Sequence, residues 1–316
     1  MNIDTATAVL TVLAIALLGP VPAMLERARW VRREPRAALV LWQAVGLAGG
    51  LAVLGAALAV AVAPLSDSLG GAVAEWLTNL AAGDLTGGLG PIHLVLLLLA
   101  LAITVRLAGL LPVTIWRTVS ARRRHRDLVG LVSQPWPPAR PGHGHVLDHP
   151  VAAVYCLPGR VVSGAPRVVF TTAALSTLDD EELAAVLAHE HAHLTERHDL
   201  VAMPFFAWVS ALGWFPGVRR ARRSVGSLLE MVADDRAALA ADRAALASAL
   251  ARIGARASQT TTPVGAIAID GSSVLDRVHR LLEPPPRSWG WRLSACLLAA
   301  GLVSIPVNTL GASLWW

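Results

Sequence analysis

Residues 37–64 read AALVLWQAVGLAGGLAVLGAALAVAVAP and contain no charged side chain. About 20 consecutive apolar residues are enough for one helix to cross the hydrocarbon core of a bilayer, so this stretch predicts a membrane span. The runs 6–25 and 293–316 are also free of charge, and the run 91–116 is interrupted only by Arg106. We therefore predict a mainly α-helical, polytopic membrane protein with about four spans.

The composition excludes several classes of protein. Hydrophobic residues make up 54% of the 316 residues and charged residues only 16%, a balance opposite to that of a disordered chain. The two cysteines cannot build a disulfide framework. All 27 cationic side chains are arginines, which excludes an enzyme that needs a lysine for a Schiff base or for a phosphate-binding loop.

The arginines predict the orientation of the spans. Five lie between the first two spans and five more follow the third span, whereas the loop between the second and third spans has three acids and no cation. Because arginine-rich loops stay in the cytoplasm, the first and third loops are predicted to be cytoplasmic and both termini outside. The same distribution favours a topological role for the net charge of +5 over direct binding of nucleic acid. A cleaved signal peptide at 6–25 is the alternative for the first span, but residues 1–7 lack the basic flank that it needs.

The chain between the third and fourth spans is predicted to form a small α+β domain. Short strands are expected at 151–157 and 167–171, which are rich in valine and aromatic residues. Asp179 and Glu182 have the spacing of a capping box, so a helix should start there and run to about Glu196.

That predicted helix carries His189-Glu190-His191-Ala192-His193, which satisfies the pattern H-E-x-x-H. Two histidines four residues apart lie on one face of a helix and can bind one zinc ion. The ion lowers the pKa of a water and polarises a carbonyl, while Glu190 accepts the proton and delivers it to the leaving amine. The motif predicts a zinc metallopeptidase with one Zn2+, in which His189 and His193 are ligands and Glu190 is the general base.

A catalytic zinc normally has three protein ligands, and two residues compete for the third position. Asp199 has the spacing of the third ligand in H-E-x-x-H-x-x-G-x-x-H/D, but the glycine of that pattern is Glu196 here. Glu230 is the better candidate, because Asp234 follows one helical turn later and can orient a ligand histidine. We predict Glu230 as the metal ligand and Asp234 as a supporting acid.

At these residues the chain resembles the BlaR/MecR-type integral-membrane metallopeptidases, relatives of the HtpX and CAAX-protease type. The resemblance rests on several motifs: His189-Glu190-xx-His193, Arg197-His198-Asp199, the apolar stretch ending Trp214-Phe215-Pro216, Glu230-xxx-Asp234, Pro158-Gly159-Arg160 and a helix at Val274–Leu282. In the family an acidic residue usually follows the arginine directly, whereas here His198 intervenes.

The resemblance implies a gluzincin-like domain and a set of roles. Glu190 is the implied general acid and base, His189, His193 and Glu230 are the implied zinc ligands, and Asp234 is the implied supporting acid. It also implies antirepressor signalling, in which a transcriptional repressor is cut when a cell-wall signal arrives. Sensors of the family carry a penicillin-binding domain after the last span, and we expect such a sensor domain to be absent here.

The segment 200–216 follows the motif and has no charged residue. A simple span there would place Glu230 across the membrane from His189 and His193, although ligands of one zinc lie about 2 Å from it. We therefore expect a buried or re-entrant helix that hugs the membrane and bends at Pro204. A helical hairpin with the site at the membrane boundary is the alternative.

The predicted domains are 1–116 with three membrane spans, 117–292 as a cytoplasmic zinc metallopeptidase domain, and 293–316 as the fourth span. The predicted function is hydrolysis of peptide bonds in a cytoplasmic or membrane-associated protein, with a repressor as the candidate substrate. The lipid bilayer is the other partner. An extended substrate is expected to pair with a strand edge around Val168–Thr171.

Two alternatives to this function stay open. One is an HtpX-like protease that acts in the quality control of membrane proteins. The other is a catalytically silent, zinc-bound membrane signalling partner.

Overall fold

The computed structural model of the chain describes residues 2–136, 144–157, 167–257, 271–286 and 288–311. Pro158-Gly159-Arg160 and the last five residues of the fourth predicted span lie outside this part.

The described residues form thirteen helices and one four-stranded sheet. In chain order the elements are α1 Ile3–Leu18, α2 Pro20–Arg27, α3 Arg29–Arg33, α4 Pro35–Val62, α5 Leu69–Ala81, α6 Pro91–Val132, β1 Gln134–Pro135, β2 His145–Leu147, β3 Val154–Leu157, β4 Arg167–Thr171, α7 Thr172–Thr177, α8 Asp180–Thr195, α9 His198–Leu212, α10 Pro216–Ala237, α11 Arg243–Ala257, α12 Gly271–Leu282 and α13 Trp289–Gly311.

These elements divide into two compact units. The first consists of residues 1–114, 203–225 and 288–316, and the second of residues 115–202 and 226–287. Three helices, α6, α9 and α10, contribute residues to both units. We call the first the membrane unit and the second the catalytic unit.

Within the described ranges, four segments are long and apolar enough to cross a membrane. They are Ile3–Arg27, Pro35–Val62, Pro91–Val132 and Trp289–Gly311, and the mean hydropathy of their most apolar windows lies between 1.8 and 2.6. Together with the small sheet, they confirm the predicted fold class of a polytopic helical protein with a small α+β domain. The third of these segments, α6, is longer than its apolar run, because the arginine-rich residues after Trp116 continue the same helix.

The central helix of the membrane unit is α4, which packs against α1 and α13. Many of its buried residues are small: Ala48 packs with Leu17 of α1, and Ala52 packs with Leu10. Small side chains let helices approach closely, and close packing is a main source of helix association within a bilayer.

A buried carboxylate joins the start of α4 to the start of α13. Glu34 is only 3% exposed, and it accepts hydrogen bonds from the Ser288 N–H and from Arg292 Nε, each at 2.7 Å. Trp30 of α3, just before α4, stacks on Trp291 of α13 with ring centroids 5.5 Å apart. The second and fourth spans therefore begin at the same end of the membrane unit.

The apolar segment that follows the motif forms α9, a helix of 15 residues. At 1.5 Å per residue it is about 22 Å long, shorter than the hydrocarbon core of about 30 Å, so it is too short for a simple span. Pro204 lies inside the helix. Further along, the Trp208 ring packs directly on Gly50 of α4, where a side chain would leave no space for it.

The sheet of the catalytic unit has the strand order β1-β2-β4-β3. The sequence predicts β3 and β4, but β1 and β2 have only two and three residues and therefore show no alternating pattern. Because β4 pairs with β2 on one side and β3 on the other, the predicted substrate edge at Val168–Thr171 is wrong. Val169 is completely buried, and among the described residues β1 and β3 are the two edge strands of the sheet.

The helix α8 begins at the predicted capping box. The Asp179 side chain accepts a hydrogen bond from the Glu182 N–H at 2.9 Å, and Glu182 accepts one from the Asp179 N–H at 3.1 Å. The buried Glu182 also accepts a hydrogen bond from Ser248 Oγ at 2.5 Å and pairs with Arg252 at 3.0 Å. Both partners lie on α11, so the start of α8 is fixed to a neighbouring helix.

One core holds α8 against the sheet and the later helices. Its fully or nearly fully buried members include Phe170, Leu183, Val186, Leu246 and Leu281. They come from β4, α8, α11 and α12, so the buried face of α8 is held in place by the sheet and by two later helices.

Gly217, near the start of α10, is a position where a side chain has no room. A Cβ there would collide with the carbonyl oxygen of Leu18, and we expect Gly217→Ala to destabilise the protein by about 1–3 kcal/mol. Gly226 lies on the same helix, and no other described part of the chain lies within 4 Å of its Cβ position. Gly226→Ala should therefore stabilise the helix by about 0.5–1 kcal/mol. Thermal unfolding of the purified protein in detergent compares the two, and equal Tm values would contradict the prediction.

Candidate metal centre

One turn of α8 separates His189 from His193, and the two imidazoles point to the same place. Their Nε2 atoms are 3.1 Å apart. His189 is buried and His193 is partly exposed. Two ring nitrogens this close, from residues that the sequence predicts as ligands, make this face of α8 the candidate site.

Glu230 of α10 completes the group. Its Oε2 lies 3.4 Å from His189 Nε2, and its Oε1 lies 3.5 Å from His193 Nε2. Two ligand atoms bound 2.0–2.1 Å from a tetrahedral zinc lie about 3.3 Å from each other. The three observed separations therefore fit one zinc ion. Among the described residues, His189, His193 and Glu230 are close enough to hold a metal together.

Asp234, one turn after Glu230, lies behind the first histidine. Its Oδ1 is 2.9 Å from His189 Nδ1, on the side of the ring away from Glu230. A carboxylate in this place holds the imidazole by its Nδ1–H and leaves Nε2 free to bind an ion. Asp234 thus lies close to His189 on the side away from Glu230, and its role as a supporting acid stays a prediction.

Arg277 of α12 is a residue of the site that the sequence analysis missed. It donates two hydrogen bonds to Asp234, from Nε at 2.7 Å and from Nη2 at 2.8 Å, and its Nη1 lies 3.0 Å from Glu230. Its side chain is only 6% exposed. No local pattern could have revealed it, because a buried arginine on an amphipathic helix has the same sequence signature as an exposed one.

The electrostatics of this pocket favour a cation. Burial alone would lower the pKa of His189, but hydrogen bonding to Asp234 and Glu230 and their charges raise it to about 9. Burial alone would raise the pKa of Glu230, but the hydrogen bond from His189 and the charge of Arg277 lower it to about 2. The two carboxylates therefore stabilise positive charge at the point where the three ligand atoms meet.

Glu190 lies beside this point with one oxygen held in place. Its Oε2 accepts a hydrogen bond from the Cys156 N–H of β3 at 3.0 Å. Burial raises the pKa of Glu190 to about 7, even though the charge of His189 lowers it. A carboxylate whose pKa lies near neutrality can both accept and return a proton, which is the property required of a general acid and base.

The chain turns sharply after α8 without a glycine. Arg197 adopts the left-handed conformation with φ of 52°, and α9 starts at the next residue. This turn brings His198 back to His193, with their Nδ1 atoms 2.9 Å apart. Asp199, the alternative third ligand, lies 3.7 Å from Arg197 Nε and does not belong to the metal group.

The residues around the metal group match a known family. Residues 142–260 are similar to peptidase family M48. The matched segment contains α8 and α10 with His189, Glu190, His193 and Glu230, and it ends before Arg277. No curated protein and no solved structure matches the chain. The family match and the apolar helices support a membrane-type metallopeptidase, with a protein substrate and the lipid bilayer as partners.

Arg277→Gln should destabilise the protein strongly, because it leaves the buried carboxylate of Asp234 and the partly exposed carboxylate of Glu230 without their cation. Removal of one partner from a buried ion pair costs about 3–5 kcal/mol. Arg280→Gln is the matched control: Arg280 makes a similar double hydrogen bond to Asp235 on the same two helices, but Asp235 is more exposed and contacts no ligand histidine. We expect a loss of about 1 kcal/mol there. Thermal unfolding in detergent compares the two variants. An equal loss of stability in Arg280→Gln would contradict the prediction that the pairing of Arg277 with Asp234 and Glu230 matters more than the pairing of Arg280 with Asp235.

Glu190→Gln should stabilise the metal-free protein at high pH. The folded-state pKa of Glu190, about 7, lies above the unfolded value near 4.5, so the wild type loses stability as the pH rises through 7. Glutamine removes that loss, because it stays neutral and still accepts the Cys156 N–H. We expect Tm of the variant to exceed that of the wild type at pH 8 and the difference to vanish at pH 4. A difference independent of pH would contradict the raised pKa.

Proposed function

We propose that this protein is a membrane-embedded zinc metalloendopeptidase that hydrolyses peptide bonds of a cytoplasmic or membrane-associated protein. The observation that carries the proposal is the convergence of His189, His193 and Glu230 with separations that fit one zinc ion, together with the partly buried Glu190 directly after His189. The similarity to peptidase family M48 supports the same reaction class.

The contacts of the site residues support a role for each of them. A zinc ion held by the three ligands would supply polarisation of the peptide carbonyl and acidification of a water. Glu190 would take a proton from that water and deliver it to the leaving nitrogen. Because the Cys156 N–H holds Oε2 of Glu190, Oε1 is the oxygen left for this proton. Asp234 would keep His189 in the tautomer that binds the ion through Nε2.

The edge strand β3 gives an extended substrate a place to bind. The backbone of β3 already contacts Glu190, the proposed general base, through the Cys156 N–H, and no other described strand pairs with the second side of β3. We infer that a substrate segment lies along β3, which would bring a peptide bond close to Glu190.

We infer that the catalytic unit faces the cytoplasm and that both termini lie outside. The arginines of the first loop and those after the third span support this orientation. Glu34 and Arg292, which join the starts of the second and fourth spans, are consistent with the cytoplasmic location of both.

The resemblance to the BlaR/MecR type supports a transcriptional repressor as the substrate and antirepressor signalling as the role. A quality-control protease of the HtpX type would use the same site on misfolded membrane proteins. A catalytically silent signalling partner is disfavoured, because a purely structural zinc site has four protein ligands and no need for a general base such as Glu190.

The test compares three variants of the full-length protein in detergent or liposomes, by zinc content and by cleavage of an unstructured protein such as casein. Glu190→Gln should keep zinc and lose cleavage at least about 100-fold, because it removes proton transfer alone. Glu230→Ala should lose zinc as well as cleavage. Glu181→Gln, an exposed acid on α8, should change neither property.

Cleavage by Glu190→Gln at the wild-type rate would overturn the proposed mechanism, and full zinc content in Glu230→Ala would overturn the ligand assignment. The inactive Glu190→Gln variant also serves as a trap for the physiological substrate. Capture of a DNA-binding repressor would support antirepressor signalling, and capture of misfolded membrane proteins would support the HtpX-like role.

A further inference from the structure

His198 is a buried histidine next to the metal group that no role described so far uses. It is 5% exposed, and its Nδ1 lies 2.9 Å from Nδ1 of His193, with the two rings perpendicular. Its other nitrogen, Nε2, lies 3.6 Å from Glu196 Oε2. Because Glu230 lies near Nε2 of His193, His198 contacts His193 on the opposite side of its ring, at Nδ1.

The position of the metal ligands indicates which histidine donates and which accepts in the hydrogen bond between His193 and His198. His193 Nε2 points at His189 and Glu230, so it is the nitrogen available to a metal ion. A neutral imidazole that binds an ion through Nε2 carries its proton on Nδ1. His193 Nδ1–H must then donate, and His198 Nδ1 must accept. His198 consequently has its own proton on Nε2, the nitrogen on the side of Glu196.

The two ligand histidines thus have different supports. His189 Nδ1 faces the carboxylate of Asp234, which Arg277 holds in turn. His193 Nδ1 faces the imidazole of His198, held by the turn at Arg197 that starts α9. Acceptors behind metal-binding histidines set the tautomer and the ring orientation, and their loss typically lowers metal affinity 10–100-fold.

We propose that His198 is a positioning residue for the metal ligand His193, acting as a hydrogen-bond acceptor through its Nδ1. This inference rests on the proposed function, because it requires a metal ion on His193 Nε2.

Two polar substitutions of similar size separate this role from simple packing. In His198→Asn the amide oxygen is as many bonds from Cα as Nδ1 is, so the acceptor stays in place. In His198→Gln the amide group is displaced toward the position of Nε2, so the acceptor for His193 is lost. His191→Gln, an exposed position on α8, is the control.

The full-length variants are purified in detergent, and their zinc dissociation constants are measured by competition with a chromophoric chelator. The visible spectrum of the cobalt-substituted protein gives a second readout of the ligand geometry. We expect His198→Asn and His191→Gln to bind zinc within about threefold of the wild type, and His198→Gln to bind it at least about 10-fold more weakly, with a changed cobalt spectrum.

Equal zinc affinities of His198→Asn and His198→Gln, whether both normal or both reduced, would overturn the proposal, because packing alone does not distinguish them. Thermal unfolding shows whether each variant is folded, and a folded His198→Asn with weak zinc binding would also overturn it. If the wild type itself binds no zinc, the proposed function fails rather than the role of His198.

Discussion

The ion pair of Arg277 with Asp234 and Glu230 is the interaction on which the candidate site depends. Two carboxylates one turn apart on α10 repel each other, and burial increases the cost of the charge on Asp234. The guanidinium of Arg277 contacts both carboxylates at 2.7–3.0 Å. Its positive charge offsets their repulsion, so the face of α10 that carries them can pack toward α8. Glu230 can then face His189 and His193, while Asp234 remains behind His189. A helix from the end of the catalytic unit therefore determines whether the ligands of the two earlier helices can meet.

A second constraint comes from the path of the chain between the ligands. After His193 the chain turns at Arg197 and begins α9, whose residues from Met203 onward belong to the membrane unit, as do the residues of α10 up to Val225; Glu230 lies in the catalytic unit again. The helix α9 has only 15 residues and is therefore too short for a simple membrane span. The left-handed conformation of Arg197 costs an L-residue about 1–2 kcal/mol, and the contact it makes possible, between His198 and His193, gives that strain a structural reason.

Features encoded within a few residues could be predicted from the sequence, and features that depend on distant partners could not. The apolar runs, the capping box at Asp179 and the helix that carries the H-E-x-x-H motif are each local patterns, and the structure has all of them. The two shortest strands are too short for any pattern, and the expected free edge at Val168–Thr171 failed because strand order depends on β2. The roles of Glu190, Asp234 and the three ligands stay predictions, although the geometry brings these residues together.

The sequence alone determined that the protein is a helical membrane protein and which residues of α8 could bind a metal, because hydrophobic length and helical periodicity act over one element. Only the tertiary structure showed that Glu230 rather than Asp199 lies beside the two histidines, that Arg277 pairs with it, and that Asp234 and His198 lie behind the two imidazoles. Those contacts depend on residues from α10, α12 and the start of α9 that converge only after folding. Distances of 2.7–3.5 Å between them are a property of packing, which no spacing along the chain encodes.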